Sequence, residues 1–311
     1  MKSVAGIDIS KLTLDVCFDG KAKTFSNDKK GFGQFIRWCK GADLVVMEAT
    51  GSYHCAFAQY LCASGLKVAV VNPAMPLYFA RSLGRRNKTD KVDASTLVEL
   101  GRSRELPLYV PPSVQQTELT QMVRLRVELV DERARLKSRI QTPGMGSFEL
   151  ELMNEQIKML SSQLKRVEAR IMSIICEVPE LAHSMELLTS IPGVGNVTAW
   201  TFLGEVRGVE VFDSAKELAS FLGVCPLVRQ SGTSLMSPGR ISRQGNRAMR
   251  KALYMAAVGA IKTDGVFKQF FKRLVQHGKR PKVAIVAVMH KLLRVIYGVL
   301  KRGCPFIQSG P

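Results

Sequence analysis

The chain lacks paired cysteines, an apolar signal core and an apolar run of membrane-spanning length. Its seven cysteines are scattered singly, and Cys55 and Cys62 have no second pair or ligand cluster near them. This spacing argues against a zinc site and against a disulfide framework. The opening residues contain no signal core, and no uninterrupted apolar run reaches the roughly 18 residues that span a bilayer. We therefore expect a cytoplasmic protein with reduced thiols and no membrane partner.

Acidic residues are also scarce, most of all towards the C-terminus. Lys and Arg number 45 against 26 Asp and Glu, which gives a formal net charge of +19. Residues 1–110 carry 16 basic and 10 acidic side chains, residues 111–190 carry 10 and 11, and residues 191–311 carry 19 and 5. From residue 226 onward the only acid is Asp264. A chain this basic suits a polyanion, so nucleic acid is the expected partner.

Residues 1–110 alternate short apolar runs with helical patterns, which predicts an α/β domain with parallel strands. One apolar run ends at Asp8 and another ends at Glu48. Functional groups in such sheets gather at the carboxyl ends of the strands. The predicted elements are strands over residues 2–10, 12–18, 43–48 and 67–72 and helices over residues 31–40, 54–64 and 94–101.

Two further acids, Asp90 and Asp93, precede the helical pattern that begins at Ala94. If Asp90 lies at the helix start, Asp93 is three residues on and shares its face, so both carboxylates can converge on one point. The alternative is an N-cap with an acidic first turn that only complements the helix dipole. These residues alone leave both interpretations open.

Asp8, Glu48, Asp90 and Asp93 taken together are harder to explain as isolated caps. Four carboxylates in one cleft would repel one another by several kcal/mol unless divalent cations compensate, so the set predicts bound Mg²⁺ or Mn²⁺. Two such ions can activate an attacking oxygen and stabilise a leaving oxygen at a phosphodiester. The acids therefore predict strand chemistry on DNA or RNA.

Residues 111–184 have the apolar spacing of two long helices with a break at residues 142–146. From Met153 to Ile174, apolar residues recur at alternating steps of four and three, which is the coiled-coil period. Two arrangements fit this pattern: a helical hairpin whose stripes bury each other within one chain, and a coiled coil between chains. We expect a helical coiled-coil connector in this region.

Residues 185–311 are predicted to form a mainly α-helical domain. Near its start, the sequence IPGVG, which contains Gly193 and Gly195, precedes a helical run. This pattern is typical of a helix-hairpin-helix motif, in which glycines let backbone amides at a helix N-terminus approach a phosphate. A plain packing corner between two helices is the alternative.

A basic run follows, with no acid to balance it. A solvated surface would normally mix charges of both signs, so this bias favours contact with a phosphate backbone. The run contains Arg229, Arg240, Arg243, Arg247, Arg250 and Lys251. Binding through these cations should weaken steeply with salt.

Several motifs of the first segment resemble those of the DEDD insertion-sequence transposases, a family that also includes the Piv-type site-specific DNA invertases. The motifs are GIDISK from Gly6, LDV from Leu14, EATGSY from Glu48, VNP from Val71 and RNKTDKVDA from Arg86. The resemblance implies a first domain similar to the junction resolvase RuvC, with a ribonuclease H-like fold. It also implies that Asp8, Glu48, Asp90 and Asp93 form a metal-binding tetrad.

The region from Leu203 to Tyr254 resembles the C-terminal transposase domain of the same family. In that family the serine of a Pro-x-x-x-x-Ser-Gly stretch attacks DNA, and the matching residue here is Ser231. Side-chain chemistry alone does not distinguish it from the nearby hydroxyls of Ser234 and Ser237. The family pattern usually has Lys where this chain has Arg243, a change that preserves charge but alters the geometry of a phosphate contact.

The resemblance implies a transposase or recombinase that cleaves and rejoins double-stranded DNA through a covalent serine-DNA intermediate, with Mg²⁺ or Mn²⁺ as cofactor. It implies a homo-oligomer, either a dimer or a tetramer, and some family members are directed by a structured noncoding "bridge" RNA. The expected division is a RuvC-like domain over residues 1–110, a connector over 111–184 and a transposase domain over 185–311. Two other classes remain open: a metal-dependent nuclease or junction resolvase without a covalent intermediate, and a non-catalytic DNA-binding architectural protein.

Overall fold

The chain divides into two compact units, Met1–Pro111 and Pro112–Pro311. The computed structural model describes residues 2–49, 51–84, 90–227, 230–231, 235–236, 240–241 and 245–307. Within these ranges it describes only the backbone at residues 90–92, 226–227, 230–231, 235–236 and 240–241.

The first unit is built on a five-stranded mixed sheet. Its strands are β1 (Val4–Ile9), β2 (Thr13–Phe18), β3 (Lys21–Ser26), β4 (Leu44–Glu48) and β5 (Val68–Val71). They lie in the order β3-β2-β1-β4-β5. The first three strands form an antiparallel meander, whereas β1, β4 and β5 run parallel. The predicted parallel strands are therefore confirmed.

Helices cover both faces of this sheet. They are α1 (Lys29–Trp38), α2 (Cys55–Ala63), α3 (Ala74–Ser82) and α4 (Asp90–Ser103). One face buries a cluster that includes Ile7, Met47 and the aromatic side chains Phe35 and Phe57. The other face packs against α4 through a cluster that includes Val46 and Leu97. The α/β class predicted for this segment is thus confirmed.

Two long helices, α5 (Val114–Ile140) and α6 (Ser147–Glu177), begin the second unit. Salt bridges between them join late positions of α5 to early positions of α6, so the pair is antiparallel. These salt bridges are Arg139–Glu149 (2.9 Å) near the turn, Arg126–Glu168 (2.8 Å) and Glu118–Arg170 (2.7 Å). Most of the predicted apolar stripe of α6 is buried, including Leu160, Leu164 and Ile171. This is the intrachain hairpin of the two arrangements that the sequence allowed.

The remaining helices pack around the base of that hairpin. They are α7 (Pro179–Thr189), α8 (Asn196–Glu205), α9 (Ala215–Phe221), α10 (Arg247–Ala260), α11 (Val266–Gln276) and α12 (Pro281–Arg302). Side chains of α5 satisfy the last carbonyls of α8: Gln116 donates to the Leu203 oxygen at 2.8 Å and Thr120 to the Gly204 oxygen at 2.7 Å. The base of α5 therefore belongs to the same core as α8, and the three-part division of the chain remains a prediction.

Two pairs of very short strands lie between α9 and α10. The strands are β6 (Pro226–Leu227), β7 (Gln230–Ser231), β8 (Leu235–Met236) and β9 (Arg240–Ile241). β6 pairs antiparallel with β9, and β7 pairs antiparallel with β8. The predicted residues Arg229 and Arg243 lie outside the described residues.

Among the described residues, α12 is long and apolar enough, by length and composition, to cross a membrane. Its side chains Val288, Leu292 and Ile296 are fully buried in the core of the second unit. Tyr297 of the same helix donates its hydroxyl to the Phe212 carbonyl at 3.0 Å. These contacts are those of a core helix in a folded domain.

Candidate active site

Asp8 and Glu48 lie side by side at the carboxyl edge of the parallel strands. The register of β1 and β4 pairs Ile7 with Met47, so the next residue on each strand is an acid. Ile7 and Met47 point into one core, and side chains alternate along a strand, so Asp8 and Glu48 share the opposite face. Both acids are half-buried. The sequence predicted acids at two strand ends, and the structure places them on neighbouring strands.

Helix α4 lies against the same face and runs antiparallel to β1. A methyl group added at Gly6 would meet the carbonyl oxygen of Ala94 and the amide of Val98. At the other end of α4, a methyl group added at Gly101 would lie 2.8 Å from side-chain carbons of Val4 and Val46. Because the late part of α4 covers the strand beginnings, its first turn lies towards the carboxyl edge.

Asp90 and Asp93 occupy that first turn. Asp90 is the first helical residue of α4, and Asp93 is half-buried one turn further on. The structure therefore brings the backbone of the late acid pair to the edge where β1 and β4 end. The Asp90 side chain and the residue before it, Thr89, are outside the described part of the chain.

A fifth acid, Asp15, stands opposite Asp8. The antiparallel register of β1 and β2 pairs these two residues directly, so their side chains lie on the same face. Thr24 of β3 donates its hydroxyl to the Asp15 carboxylate at 2.6 Å. Sequence reasoning did not select Asp15 as a site residue, because only the strand register shows that it is the neighbour of Asp8.

Cys17 lies on the same face of the sheet, two residues along β2 from Asp15, and the charges near it affect its pKa. Burial raises the pKa of its thiol, the Arg102 guanidinium opposes that rise and the Glu99 carboxylate adds to it. Glu99 and Arg102 both belong to α4. The thiol is therefore held in its neutral form between charged groups of the covering helix.

The loops at this edge are tied together by one amide side chain. The Asn27 side chain donates to the Ser10 carbonyl at 2.9 Å and to the Tyr53 carbonyl at 3.3 Å. Ser10 follows β1, and Tyr53 follows β4. The two segments that continue from the acid-bearing strands are thus held to each other, which restricts the rim of the candidate site.

The donor set suits a hard divalent cation. Carboxylate oxygens are the ligands that Mg²⁺ and Mn²⁺ prefer, and two carboxylates placed side by side lower their mutual repulsion when a cation lies between them. Among the side chains that the structure describes, no group of three or more His, Cys, Asp and Glu residues is arranged to hold a metal ion. Asp90 is not among these side chains, because the structure does not describe its side chain.

Gly193 and Gly195 form the corner between α7 and α8. Gly193 has φ +88° and fits against α10, since a methyl group there would lie only 2.6 Å from the Ala260 amide nitrogen. Gly195 is the N-cap of α8, is exposed, and would have no atom within 4 Å of an added methyl group. Gly193 thus has a packing role, whereas the exposed N-terminus of α8 at Gly195 is open to a ligand.

The predicted nucleophile and basic residues belong to the second unit. The backbone of Ser231 pairs with Leu235 in the β7–β8 ladder, and Arg240 lies on β9. Arg247 is exposed in the first turn of α10, which Asn246 caps by accepting from the Met249 amide at 2.9 Å. In the next turn, Lys251 forms a 2.7 Å ion pair with Asp131, which lowers the pKa of that carboxyl.

An α/β sheet with acids at one edge, in the same chain as a basic helical unit, suits an enzyme that acts on nucleic acid. Residues 5–142 match the family model described as DEDD transposase of the IS110 type, and residues 185–272 match the transposase model of the IS116/IS110/IS902 family. The chain belongs to this family of transposases and DNA invertases, enzymes that cleave and rejoin DNA.

Two relatives illustrate the range of the family. The chain is 34% identical to the pilin gene-inverting protein of Moraxella bovis over 318 aligned residues, which cover 98% of both chains. It is 23% identical to the transposase for insertion sequence element IS1111A of Coxiella burnetii, across 96% of this chain and 90% of the relative. The resemblance found in the sequence motifs is confirmed.

Proposed function

We propose that the protein is a site-specific DNA recombinase in which the carboxyl-edge acids and Ser231 act on the same phosphodiester. The observation that carries the proposal is the placement of Asp8 and Glu48 on neighbouring parallel strands, with the first turn of α4 directed to the same edge. Membership of a family of DNA-cleaving and rejoining enzymes supports it and disfavours a purely architectural role.

In this proposal Asp8, Glu48, Asp90 and Asp93 hold Mg²⁺ or Mn²⁺. The bound ion supplies positive charge that stabilises the phosphate oxygens as negative charge develops on them. The chain itself fixes the geometry, because β1 and β4 set the separation of the first two acids and α4 sets the position of the second pair. At Gly6 the backbone of α4 approaches β1 with no β1 side chain between them, which restricts movement of that pair.

Ser231 is the proposed nucleophile. Its hydroxyl oxygen forms a bond to phosphorus as the bond from phosphorus to one deoxyribose oxygen breaks, so one phosphoester is exchanged for another. The hydroxyl proton leaves the serine, and the released deoxyribose oxygen ends as a hydroxyl group. Attack of a DNA hydroxyl on the seryl phosphoester then reverses this exchange and frees Ser231. No ATP is required because the phosphoester energy is kept throughout.

The strand order of the first unit supports a ribonuclease H-like, RuvC-like fold. An antiparallel meander followed by two parallel strands places the first strand at the centre of the sheet with an acid near its end. We also propose that the exposed α8 N-terminus at Gly195 contacts a phosphate as a helix-hairpin-helix. The cations Arg229, Arg240, Arg243, Arg247, Arg250 and Lys251 are proposed to contact the DNA backbone. For Lys251 this requires exchange of its Asp131 partner for a phosphate.

The proposed reaction requires at least two DNA strands to be held together, which favours a homo-oligomer, either a dimer or a tetramer. An apolar stripe on α6 supports self-association, since Phe148, Leu152 and Met159 are 71%, 45% and 56% exposed. A structured noncoding guide RNA is a further proposed partner, supported by the large positive charge. We also propose a location in the prokaryotic cytoplasm, which is supported by the DNA-acting relatives from bacteria.

The serine is tested with a suicide substrate that carries one labelled strand. Wild-type protein and the Ser231→Ala, Asp8→Asn and Ser234→Ala variants are incubated with DNA and Mg²⁺, and products are separated on a denaturing gel. We expect a protein-linked labelled strand with wild type and with the Ser234→Ala control. Ser231→Ala should give no adduct, and Asp8→Asn should reduce adduct formation by about 10²-fold or more.

If Ser231→Ala still cleaved the strand fully and formed no adduct, the protein would be a metal-dependent nuclease or junction resolvase and not a serine recombinase. Cleavage that persists in both Asp8→Asn and EDTA would remove the acids from the mechanism. The guide is tested separately by sequencing the nucleic acid that copurifies with the protein. One discrete noncoding RNA is expected, and a random mixture of cellular RNA would argue against a guide.

A further inference from the structure

Helix α11 has one buried side and a strongly basic outer side. Phe267 is its fully buried residue, while Lys272 and Arg273 are exposed. Seven basic residues lie between Lys262 and Lys282, against the single acid Asp264. Within the part of the chain that the structure describes, Lys268 is the only one of these seven with an ion pair, to Asp264 at 2.7 Å. The other six positive charges in this segment are therefore not balanced locally.

The Phe270 ring contacts one cation of this segment, Arg273, and a further cation from α12, Lys291. The Arg273 guanidinium carbon lies 5.4 Å from the ring centroid, and the Lys291 amine of α12 lies 4.7 Å from it. Burial lowers the pKa of the Lys291 amine, and the nearby Arg273 charge lowers it further. Two like charges held at one aromatic ring repel each other, and an anion bound beside them would relieve that repulsion.

The beginning of α12 repeats this unfavourable arrangement. Arg280 is its N-cap and makes no side-chain capping bond, and no acid lies in the first turn. Lys279 and Lys282 flank that N-cap and are exposed. Cations next to a helix N-terminus oppose the helix dipole, whereas an anion there is stabilised by the dipole and by the free backbone amides. A phosphate is the ligand that would compensate both the dipole and the side-chain charges.

We propose that this basic tip binds the phosphate backbone of duplex DNA as a second contact surface of the enzyme. The basic tip consists of Lys272, Arg273, Lys279, Arg280, Lys282 and Lys291. It is formed by different elements from the predicted Arg229–Lys251 surface. The proposal rests on the proposed function in one respect only, that the substrate is DNA. It adds a place where a second duplex, or a second segment of one duplex, is held.

The burial of the nearby aromatic side chains favours duplex over single-stranded DNA. Surfaces that bind single strands use exposed aromatic side chains to stack bases. The aromatic residues of α11, Phe267, Phe270 and Phe271, are buried or half-buried.

The test removes three charges from the tip and three from a matched control. The tip variant is Lys272→Gln/Arg273→Gln/Lys282→Gln in the full chain. The control is Lys158→Gln/Lys165→Gln/Arg166→Gln, which removes two lysines and one arginine from exposed positions of α6 in the same unit. Because the control changes net charge equally, it separates a local contact from long-range attraction. A second tip variant, Lys279→Gln/Arg280→Gln/Lys282→Gln, leaves the Phe270 ring contacts intact.

Binding of a labelled 30-base-pair duplex is measured by fluorescence anisotropy in EDTA across a range of KCl concentrations. We expect each tip variant to reduce the slope of log affinity against log salt by about 2 to 3, since each phosphate contact contributes about 0.9. The control should change that slope by less than about 0.5. Thermal unfolding midpoints equal to that of wild type are required for all variants.

Equal losses in the tip and control variants would overturn the proposal, because the effect would then be one of net charge. Unchanged duplex binding with lost binding to a structured RNA hairpin would also overturn it and assign the tip to RNA. Binding in EDTA involves neither metal nor cleavage. The result is therefore independent of Ser231 and the acids, and a failure here is distinguishable from a failure of the proposed function.

Discussion

The choice of residue is most restricted at positions where two backbone segments are in close contact. Gly193 combines a φ of +88° with direct contact to the α10 backbone. Gly195, two residues on, has φ −91° and open space where its side chain would be. The motif pattern treats these two glycines alike, but the structure gives them different physical roles.

We expect Gly193→Ala to lower the free energy of unfolding by about 2–4 kcal/mol, because the left-handed backbone and the contact with α10 both disfavour a methyl group. Gly195→Ala should change it by less than about 1 kcal/mol. Urea unfolding followed by circular dichroism measures both. Equal destabilisation by the two substitutions would contradict the packing role of Gly193.

The thiols differ in environment and should differ in reactivity. Burial raises the pKa of Cys39 to about 12, whereas Cys176 and Cys304 are exposed. The thiolate is the reactive form, so at pH 8 Cys39 is protonated as well as shielded. Iodoacetamide labelling of native protein at pH 8, followed by peptide mass spectrometry, should modify Cys176 and Cys304 and leave Cys39 unmodified. Early labelling of Cys39 would show that the first core opens readily.

At the scale of elements, the sequence was most informative where burial is one-sided or complete. The apolar runs of β1 and β4 identified both strands and their terminal acids, and the spacing of α6 identified its buried seam. β3 was missed because five of its six residues are exposed and only Phe25 is buried, as suits an edge strand. α3 was not predicted. It follows its N-cap Pro73 directly and contains Pro76 in its first turn, where a missing amide hydrogen is tolerated.

The neighbour relations within the candidate site were beyond local patterns. Nothing near Asp15 in the sequence indicates that it faces Asp8, since that depends on the register of the β1–β2 hairpin. The direction of α4 likewise depends on the lack of a side chain at Gly6, which lets the helix lie directly on β1. Residue patterns predicted the types of group, and only packing gives their arrangement.

The exposed stripe on α6 gives a prediction for association. Leu152→Glu/Met159→Glu places two charges on the apolar stripe and should reduce the oligomer to a smaller species, because burying unpaired carboxylates is unfavourable. Asn154→Glu/Ala169→Glu adds the same charge at exposed positions of α6 away from the stripe and should leave the mass unchanged. Light scattering after size-exclusion chromatography gives the mass. Equal masses for wild type and the stripe variant would remove this face from self-association.

At the scale of the whole molecule, the two units have separate hydrophobic cores. The clusters of the first unit lie between Val4 and Tyr109, and the cluster of the second lies between Leu119 and Phe306. The charge is also unequal, since residues 191–311 carry 19 basic and 5 acidic side chains. Folding of one unit therefore does not require the core of the other.

We expect residues 1–111, produced alone, to unfold cooperatively in urea, and residues 112–311 to do the same. The second fragment should retain salt-sensitive DNA binding, whereas the first should bind at least about tenfold more weakly, because phosphate contacts dominate such affinity. Circular dichroism measures the folding and anisotropy measures the binding. A non-cooperative transition for either fragment would show that its core depends on the rest of the chain.

The separate cores also have a genetic consequence. A cell that produces wild-type protein together with a chain damaged only in the first core would contain two populations that compete for the same DNA. The damaged chain keeps a folded, cationic second unit but has lost the sheet that carries Asp8 and Glu48. Such an allele should act as a dominant-negative inhibitor of recombination, whereas an allele damaged in the second core should be recessive.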